Sequence, residues 1–412
     1  MEIISIGQKI KRARIYGGYT LKDICGDKIS VSKLSCIEND KIKPEPWIME
    51  FIAEKLDMDY DYLNKDVDKQ ILEHLDEISK RSDKDEIVKG RKEILKACME
   101  FGLSVIAYLV MHELFSGYVE DKKFNQCRAL IKEYYDLSVK YKKDKYIYYE
   151  DVGDYILAVK EYMQAYNYYT HALKSLRDEK DDAKKEMDLL CKILECNIRE
   201  NNTLDNDIIN ELLSIRSKNA DEELSLKTYS VLGLYYKVVG EVEKYNQIIS
   251  YINNNDAIDK EKCLLDIAYN LRDLGKYKDA LEILDIIASE VNTVSIESII
   301  LRTEVLYLDE QYKDALEYAD KVLNESILSN DEDEIEMIYY LKAKIYIILG
   351  NLQKAEIYFN ISLDFIKRLN NKEGIITRYM EMGELYYKIG DYKEGSKCFD
   401  AALKTKNKYN IV

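Results

Sequence analysis

The chain has 412 residues, 47% of them hydrophobic and 33% charged, with 16 Gly, 2 Pro and a net charge of −16. That length is ample for a large core and more than one domain, and the scarcity of Pro argues against long disordered linkers. No apolar run approaches the roughly 20 residues of a membrane span, and no apolar stretch follows the basic N-terminal residues as a signal peptide requires, so a cytoplasmic protein is expected.

The charge is uneven. Residues 1–43 hold nine Lys or Arg against five acidic residues, a surplus of +4, while the rest of the chain is strongly acidic. A basic head on an acidic body suggests that the head meets a polyanion. Residues 6–15 read as a helix with Ile6 and Ile10 inward, ended by Gly17 and Gly18. Thr20 is positioned to cap a short helix at 21–25, Gly26 and Asp27 make a turn, and Ser30 or Ser32 caps a third helix. A fourth helix starts near Pro46 and carries the apolar stripe Trp47, Met49, Ile52, Ala53 and Leu56.

Short helices whose second and third members meet in a tight turn describe a helix-turn-helix. The stretch from Leu21 to Leu56, with Ser35-Cys36-Ile37-Glu38-Asn39 closing the third helix, resembles the Xre/lambda-repressor-type DNA-binding domain over residues 1–66. Asp40 stands where that family usually has Gly. The resemblance implies that the start of the third helix enters the major groove. Ser32, Lys33 and Ser35 then face base edges, and Arg12, Thr20, Lys41 and Lys43 are candidates for phosphate contact. Glu38 is expected to be structural, because a carboxylate there would repel phosphate.

Residues 66–81 read as a linker helix whose stripe of Ile71, Leu72, Leu75 and Ile78 needs a partner, either the body of the chain or a second subunit. Beyond it a pattern repeats. Gly383, Tyr386, Gly390, Tyr392, Gly395, Phe399 and Ala402 form one copy. Ala343 to Phe359, Thr303 to Ala315, Ala268 to Leu284, Gly233 to Gly240 and Gly153 to Ala172 give others of varying strength, and spacing alone adds units near Phe115 and Ile193. Small residues let two helices approach and an aromatic one turn on fills the seam, which is the signature of a tetratricopeptide array. The expected fold is therefore all-α: a helix-turn-helix domain at 1–66, a linker helix at 67–85, and a right-handed superhelical tetratricopeptide solenoid at 86–412. Residues 201–206, 253–256 and 330–334 read as loops.

The first helix of each pair lines the concave face of such an array. Counting from the small key position nominates Asn197, Lys237, Tyr269, Arg272, Tyr307, Tyr340, Lys344 and Tyr387 as peptide-binding residues, accompanied by Glu150, Asp154, Glu304, Glu384 and Lys388. Asn can donate to and accept from a peptide backbone, and Arg or Lys can take a carboxylate. The 3 His lack metal-ligand spacing, the 8 Cys form no C-x-x-C, and no nucleophile–base pair or Gly-rich phosphate loop is present. No metal, cofactor or enzymatic activity is expected. Head and body together resemble the RRNPP regulators (Rap, Rgg, NprR, PlcR, PrgX). That resemblance implies a quorum-sensing transcriptional regulator, usually a homodimer, whose binding to double-stranded operator DNA is switched by a short signalling peptide. The alternative is a tetratricopeptide regulator controlled by a protein partner, including binding or dephosphorylation of a response regulator.

Overall fold

The computed structural model describes residues 3–200, 206–216, 222–255, 259–290, 294–329 and 331–409, and every regular element among them is a helix. The chain divides into two compact units, Met1–Glu200 and Asn201–Val412. The first holds α1 (Ile6–Tyr16), α2 (Leu21–Cys25), α3 (Val31–Glu38), α4 (Pro46–Leu56), α5 (Tyr60–Leu63), α6 (Val67–Ser79), α7 (Lys84–Glu100), α8 (Ser104–Glu120), α9 (Phe124–Tyr141), α10 (Lys145–Ala158), α11 (Tyr162–Glu179) and α12 (Ala183–Arg199). The second holds α13 (Asn206–Arg216), α14 (Glu222–Val239), α15 (Val242–Asn254), α16 (Lys260–Asp273), α17 (Tyr277–Glu290), α18 (Ile296–Leu308), α19 (Tyr312–Ser329), α20 (Glu332–Ile348), α21 (Leu352–Arg368), α22 (Lys372–Ile389) and α23 (Tyr392–Tyr409).

Helices α1 to α5 enclose their own core of Ile6, Ile10, Ile24, Leu34, Ile37, Ile48, Ile52 and Leu63. Their starts follow from capping. Ser5 forms a capping box with Gln8, Thr20 one with Asp23, and Ser30 rather than Ser32 caps α3. Asp40 has φ of +55°, the left-handed conformation that favours Gly. Its carboxylate offsets that strain by accepting from Ser5 Oγ at 2.5 Å and from Gly7 N at 3.1 Å, which satisfies the otherwise unpaired start of α1. Gly7 must lack a side chain, since a Cβ there would lie 2.2 Å from the Ile37 carbonyl oxygen.

These helices are joined tightly to α6. Buried Lys9 donates to the Tyr62 and Lys65 carbonyls, both at 2.7 Å, and Gln70 Nε2 donates to the Ile4 carbonyl at 2.9 Å. Of the α6 stripe, Ile71 and Ile78 are buried in a core shared with Ile94, Leu95 and Cys98 of α7, Leu75 is partly buried, and Leu72 is 55% exposed. The partner of that stripe thus lies in the same chain.

From α8 onward the even-numbered helices carry the repeat's key positions. Phe115, Gly153, Ile193, Gly233, Ala268, Thr303, Ala343 and Gly383 fall on successive even helices from α8 to α22, and all are buried. Close approach explains the small ones: a Cβ on Gly153 would meet the ring of Tyr169 at 2.6 Å, and one on Gly383 the ring of Phe399 at 2.7 Å. In the last pair Gly383 packs on Phe399 while Tyr387 packs on Tyr392, so the two helices run antiparallel. The turn inside a pair needs one left-handed residue. It is Gly at 240, 275, 350 and 390, but Lys122, Lys160 and Glu310 take the same conformation. This is the all-α architecture of a tetratricopeptide array.

The expected loops fare differently. Residues 201–205, 256 and 330 lie outside the described residues. Asn206 starts α13, and Asn253 and Asn254 end α15. The acidic run after residue 330 is helical: Asp331 caps α20, and Glu332, Asp333 and Glu334 form its first turn, where negative charge complements the helix dipole.

Candidate functional site

In the first unit α3 presents its N-terminal end to solvent, with Val31 and Ser32 exposed and Ser35 and Lys33 half-buried. Lys33 Nζ lies 3.1 Å from Glu45 Oε1 and over the Trp47 ring at 5.9 Å. The Glu45 carboxyl is held below its usual range, first by the Trp47 indole N–H and then by Lys33. Arg12 and Lys41 are exposed. Thr20 Oγ1 is engaged with Asp23 in its cap, and Lys43 pairs with Asp66 at 2.7 Å. Glu38 is structural: it is buried, and the Arg14 guanidinium donates to both of its oxygens at 2.6 and 2.8 Å.

Glu150 and Asp154 of α10 face α12, where Lys192 Nζ reaches Glu150 Oε1 and Asp154 Oδ1, each at 2.8 Å. Lys185 also pairs with Glu150 at 2.8 Å. Burial alone would lower the Lys192 pKa, but Asp154, Glu150 and Asp188 outweigh it and hold the ammonium above the usual lysine range. Asn197 is half-buried on the same helix. Nearby on α8, His112 Nδ1 lies 2.6 Å from Asp151 Oδ2, to which Tyr134 also donates at 2.7 Å.

In the second unit the nominated residues form two clusters and two outliers. Tyr269 and Arg272 of α16 sit together, the guanidinium 5.0 Å from the ring centroid. Arg272 is fully engaged, with Nη1 on Glu304 at 2.5 Å and Nε and Nη2 on Asp273. The second cluster is Tyr307, Tyr340 and Lys344. The Lys344 ammonium lies 5.8 Å from the Tyr307 ring and 5.2 Å from the Tyr340 ring. A pocket of 180 Å³ opens there, lined by Tyr307, Lys344, Ile347, Ile348, Phe359, Glu381, Glu384, Leu385 and Lys388. Lys237 stands apart from both clusters and pairs with Glu282 at 2.5 Å and Asp279 at 3.4 Å. Tyr387 turns to Tyr392 and Phe399 of α23, while its neighbours Glu384 and Lys388 line the pocket.

Glu381 is a residue that counting from the key position misses. Its Oε1 accepts from Tyr340 at 2.8 Å, and its Oε2 is buried with no hydrogen-bond partner among the described residues. Burial and then Glu381 push the Tyr340 hydroxyl above the usual tyrosine range. The Arg378 guanidinium also lies over the Tyr340 ring, 3.3 Å from its centroid. Among the described residues no group of His, Cys, Asp and Glu could hold a metal, and no helix is long and apolar enough to cross a membrane.

No protein-family model matches the chain. A tetratricopeptide-repeat-containing protein of Methanocaldococcus jannaschii is 25% identical over 234 residues, which is 53% of this chain and 40% of that protein. The chain thus spans under half the length of that relative. Similar solved structures include Bacillus thuringiensis PlcR in complex with the peptide PapR7 and DNA, at 16% identity, 89% coverage of this chain, 95% of that one, and a TM-score of 0.31. A Rap protein complexed with Competence and Sporulation Factor is 17% identical, with 65% of this chain and 78% of that one covered and a TM-score of 0.37.

Proposed function

We propose that this protein is a cytoplasmic, non-enzymatic transcriptional regulator with a helix-turn-helix domain at 1–66, a linker helix at 67–85 and a peptide-binding tetratricopeptide body at 86–412. The head reads operator DNA as part of a homodimer, and a short signalling peptide in the groove of the body switches it. The observation that carries the reading is the pocket across α18, α20 and α22. It joins aromatic and apolar walls to Glu381, one of whose carboxylate oxygens has no donor among the described residues, and to Lys388 and Glu384, which make no ion pair among them. Such a mixture suits a peptide, which brings apolar side chains together with donors and acceptors. The DNA half rests on the +4 charge of residues 1–43 and on the exposed start of α3.

The test is selection from a random double-stranded DNA library by the full chain, with and without a randomised heptapeptide library. Enrichment of a two-fold repeated half-site, altered by the peptides, is expected. Failure to enrich any sequence removes the DNA half. Enrichment that no peptide changes favours control by a protein partner.

A further inference from the structure

Glu381 lines the α18–α20–α22 pocket with one oxygen satisfied and one not. Oε1 accepts from the Tyr340 hydroxyl at 2.8 Å and lies 4.0 Å from Lys344 Nζ. Oε2 is buried and receives no hydrogen bond from any described residue. An acceptor left in that condition costs free energy that a ligand donor would recover, and more so where the acceptor is charged. Lys344 does not supply the donor: its ammonium lies over the rings of Tyr307 and Tyr340, and its contact to the carboxylate is the long one to Oε1. At 180 Å³ the pocket is smaller than the roughly 300 Å³ at which whole-ligand pockets begin, so it takes one residue rather than a complete small molecule.

We propose that this pocket seats the first residue of the peptide. Its free α-ammonium pairs with the Glu381 carboxylate, whose Oε2 meets it when the carboxylate turns about its soft terminal torsion, and its apolar side chain lies against Tyr307, Ile347 and Leu385. The N-terminus is the one cationic group of a peptide main chain, and only there does the charge sit one bond from the carbon that bears the side chain. A ligand lysine would place a four-carbon stem between charge and backbone, leaving no side chain for the apolar walls. The pocket therefore selects an unblocked peptide with an aliphatic or aromatic residue at its first position. This rests on the peptide reading above.

The experiment uses a synthetic heptapeptide library, randomised at every position, in free-amine and N-acetylated forms. Each is passed over the immobilised full chain, and retained peptides are sequenced by mass spectrometry. The expected result is at least tenfold greater retention of the free-amine library, with Leu, Ile, Val or Phe enriched at position one. Glu381→Gln should erase that ratio, since its amide oxygen still accepts from Tyr340 but carries no charge. Equal retention of both libraries overturns the proposal while the peptide reading stands, as does enrichment of Lys at internal positions. Retention of neither library overturns both. The comparison of libraries on the unaltered protein decides the matter even where the variant fails to fold.

Discussion

Arg378 and Glu336 form a buried ion pair across 42 residues, with Arg378 Nε 2.9 Å from Glu336 Oε1. Ser362 Oγ donates to the same oxygen at 2.5 Å and accepts from Arg378 Nε at 3.0 Å. Removing one member leaves the other charged and dry. Arg378→Met is therefore expected to cost about 3–5 kcal/mol in urea unfolding. The double variant Arg378→Met with Glu336→Gln should lose less than the sum of the two single losses. Strict additivity would mean that the pair is not coupled.

The repeat turns offer a gain in stability. Lys160 and Glu310 have φ of +66° and +62°, where an L side chain costs about 1–2 kcal/mol. Gly avoids that cost but loses about 0.5–1 kcal/mol through its freer unfolded chain. Lys160→Gly and Glu310→Gly should each stabilise the protein by about 0.5–1 kcal/mol, and Gly350→Ala, at φ of +74°, should destabilise it. Thermal melting of the three variants checks the ordering.

Those turns also mark where sequence reading reached its limit. The repeat was legible because each key position must be small or apolar to let helices approach, so even the degenerate Phe115 and Ile193 could be placed by spacing. The left-handed turn at Lys160 was not, because nothing in a lysine announces positive φ. The acidic residues after Asp331 read as a turn because polarity alone does not separate a loop from a dipole-stabilised first helical turn. Around the α18–α20–α22 pocket, Tyr307, Tyr340 and Lys344 follow from counting. Glu381 does not: Tyr340 stands three residues before Ala343, but the residue three before Gly383 is Met380, and the inward face of a helix is wider than one position in each turn.

His112 gives the stability a pH dependence. Its pKa is raised chiefly by the hydrogen bond to Asp151, against burial, with Glu113 and Glu150 adding to the effect. A raised histidine contributes stability that is full below the unfolded value near 6.5 and is lost as pH rises through the folded value. Unfolding free energy should therefore fall as pH is raised from 6.5, and His112→Gln should flatten that slope. A slope unchanged in the variant assigns the effect to another group.

In the head, Lys33→Ala and Ser35→Ala should each weaken selected DNA by about 1–3 kcal/mol while leaving helicity intact. The exposed Glu45 draws Lys33 away from solvent, and a surface pair of this kind holds it weakly. Glu45→Ala should thus raise DNA affinity by releasing the ammonium and removing a charge of the wrong sign. Gel-shift titration at fixed salt separates these effects, and unchanged binding in both Lys33→Ala and Ser35→Ala would show that α3 does not read bases.

The groove calls for variants chosen by what each residue already does. Arg272 spends all three nitrogens within the chain, and its loss leaves Glu304, half-buried and with its carboxyl pushed up by burial, without its partner. Arg272→Ala is therefore expected to lower melting temperature as well as peptide response, and Glu304→Gln in the same chain should restore the first without the second. Lys344 is different. It lies over two rings, and its one carboxylate contact among the described residues, to Glu381, is 4.0 Å long, so Lys344→Ala should change stability little. Asn197→Ala likewise removes an amide of a half-buried residue and should keep the fold. The measurement is DNA binding titrated with a peptide recovered from the library, alongside melting of each variant. The expected outcome is full peptide-free DNA binding in all of them, with the response shifted at least tenfold in Lys344→Ala and in Asn197→Ala. A response at unaltered peptide concentration in Lys344→Ala would exclude the Tyr307–Tyr340 cluster from the binding surface, whatever Arg272 does.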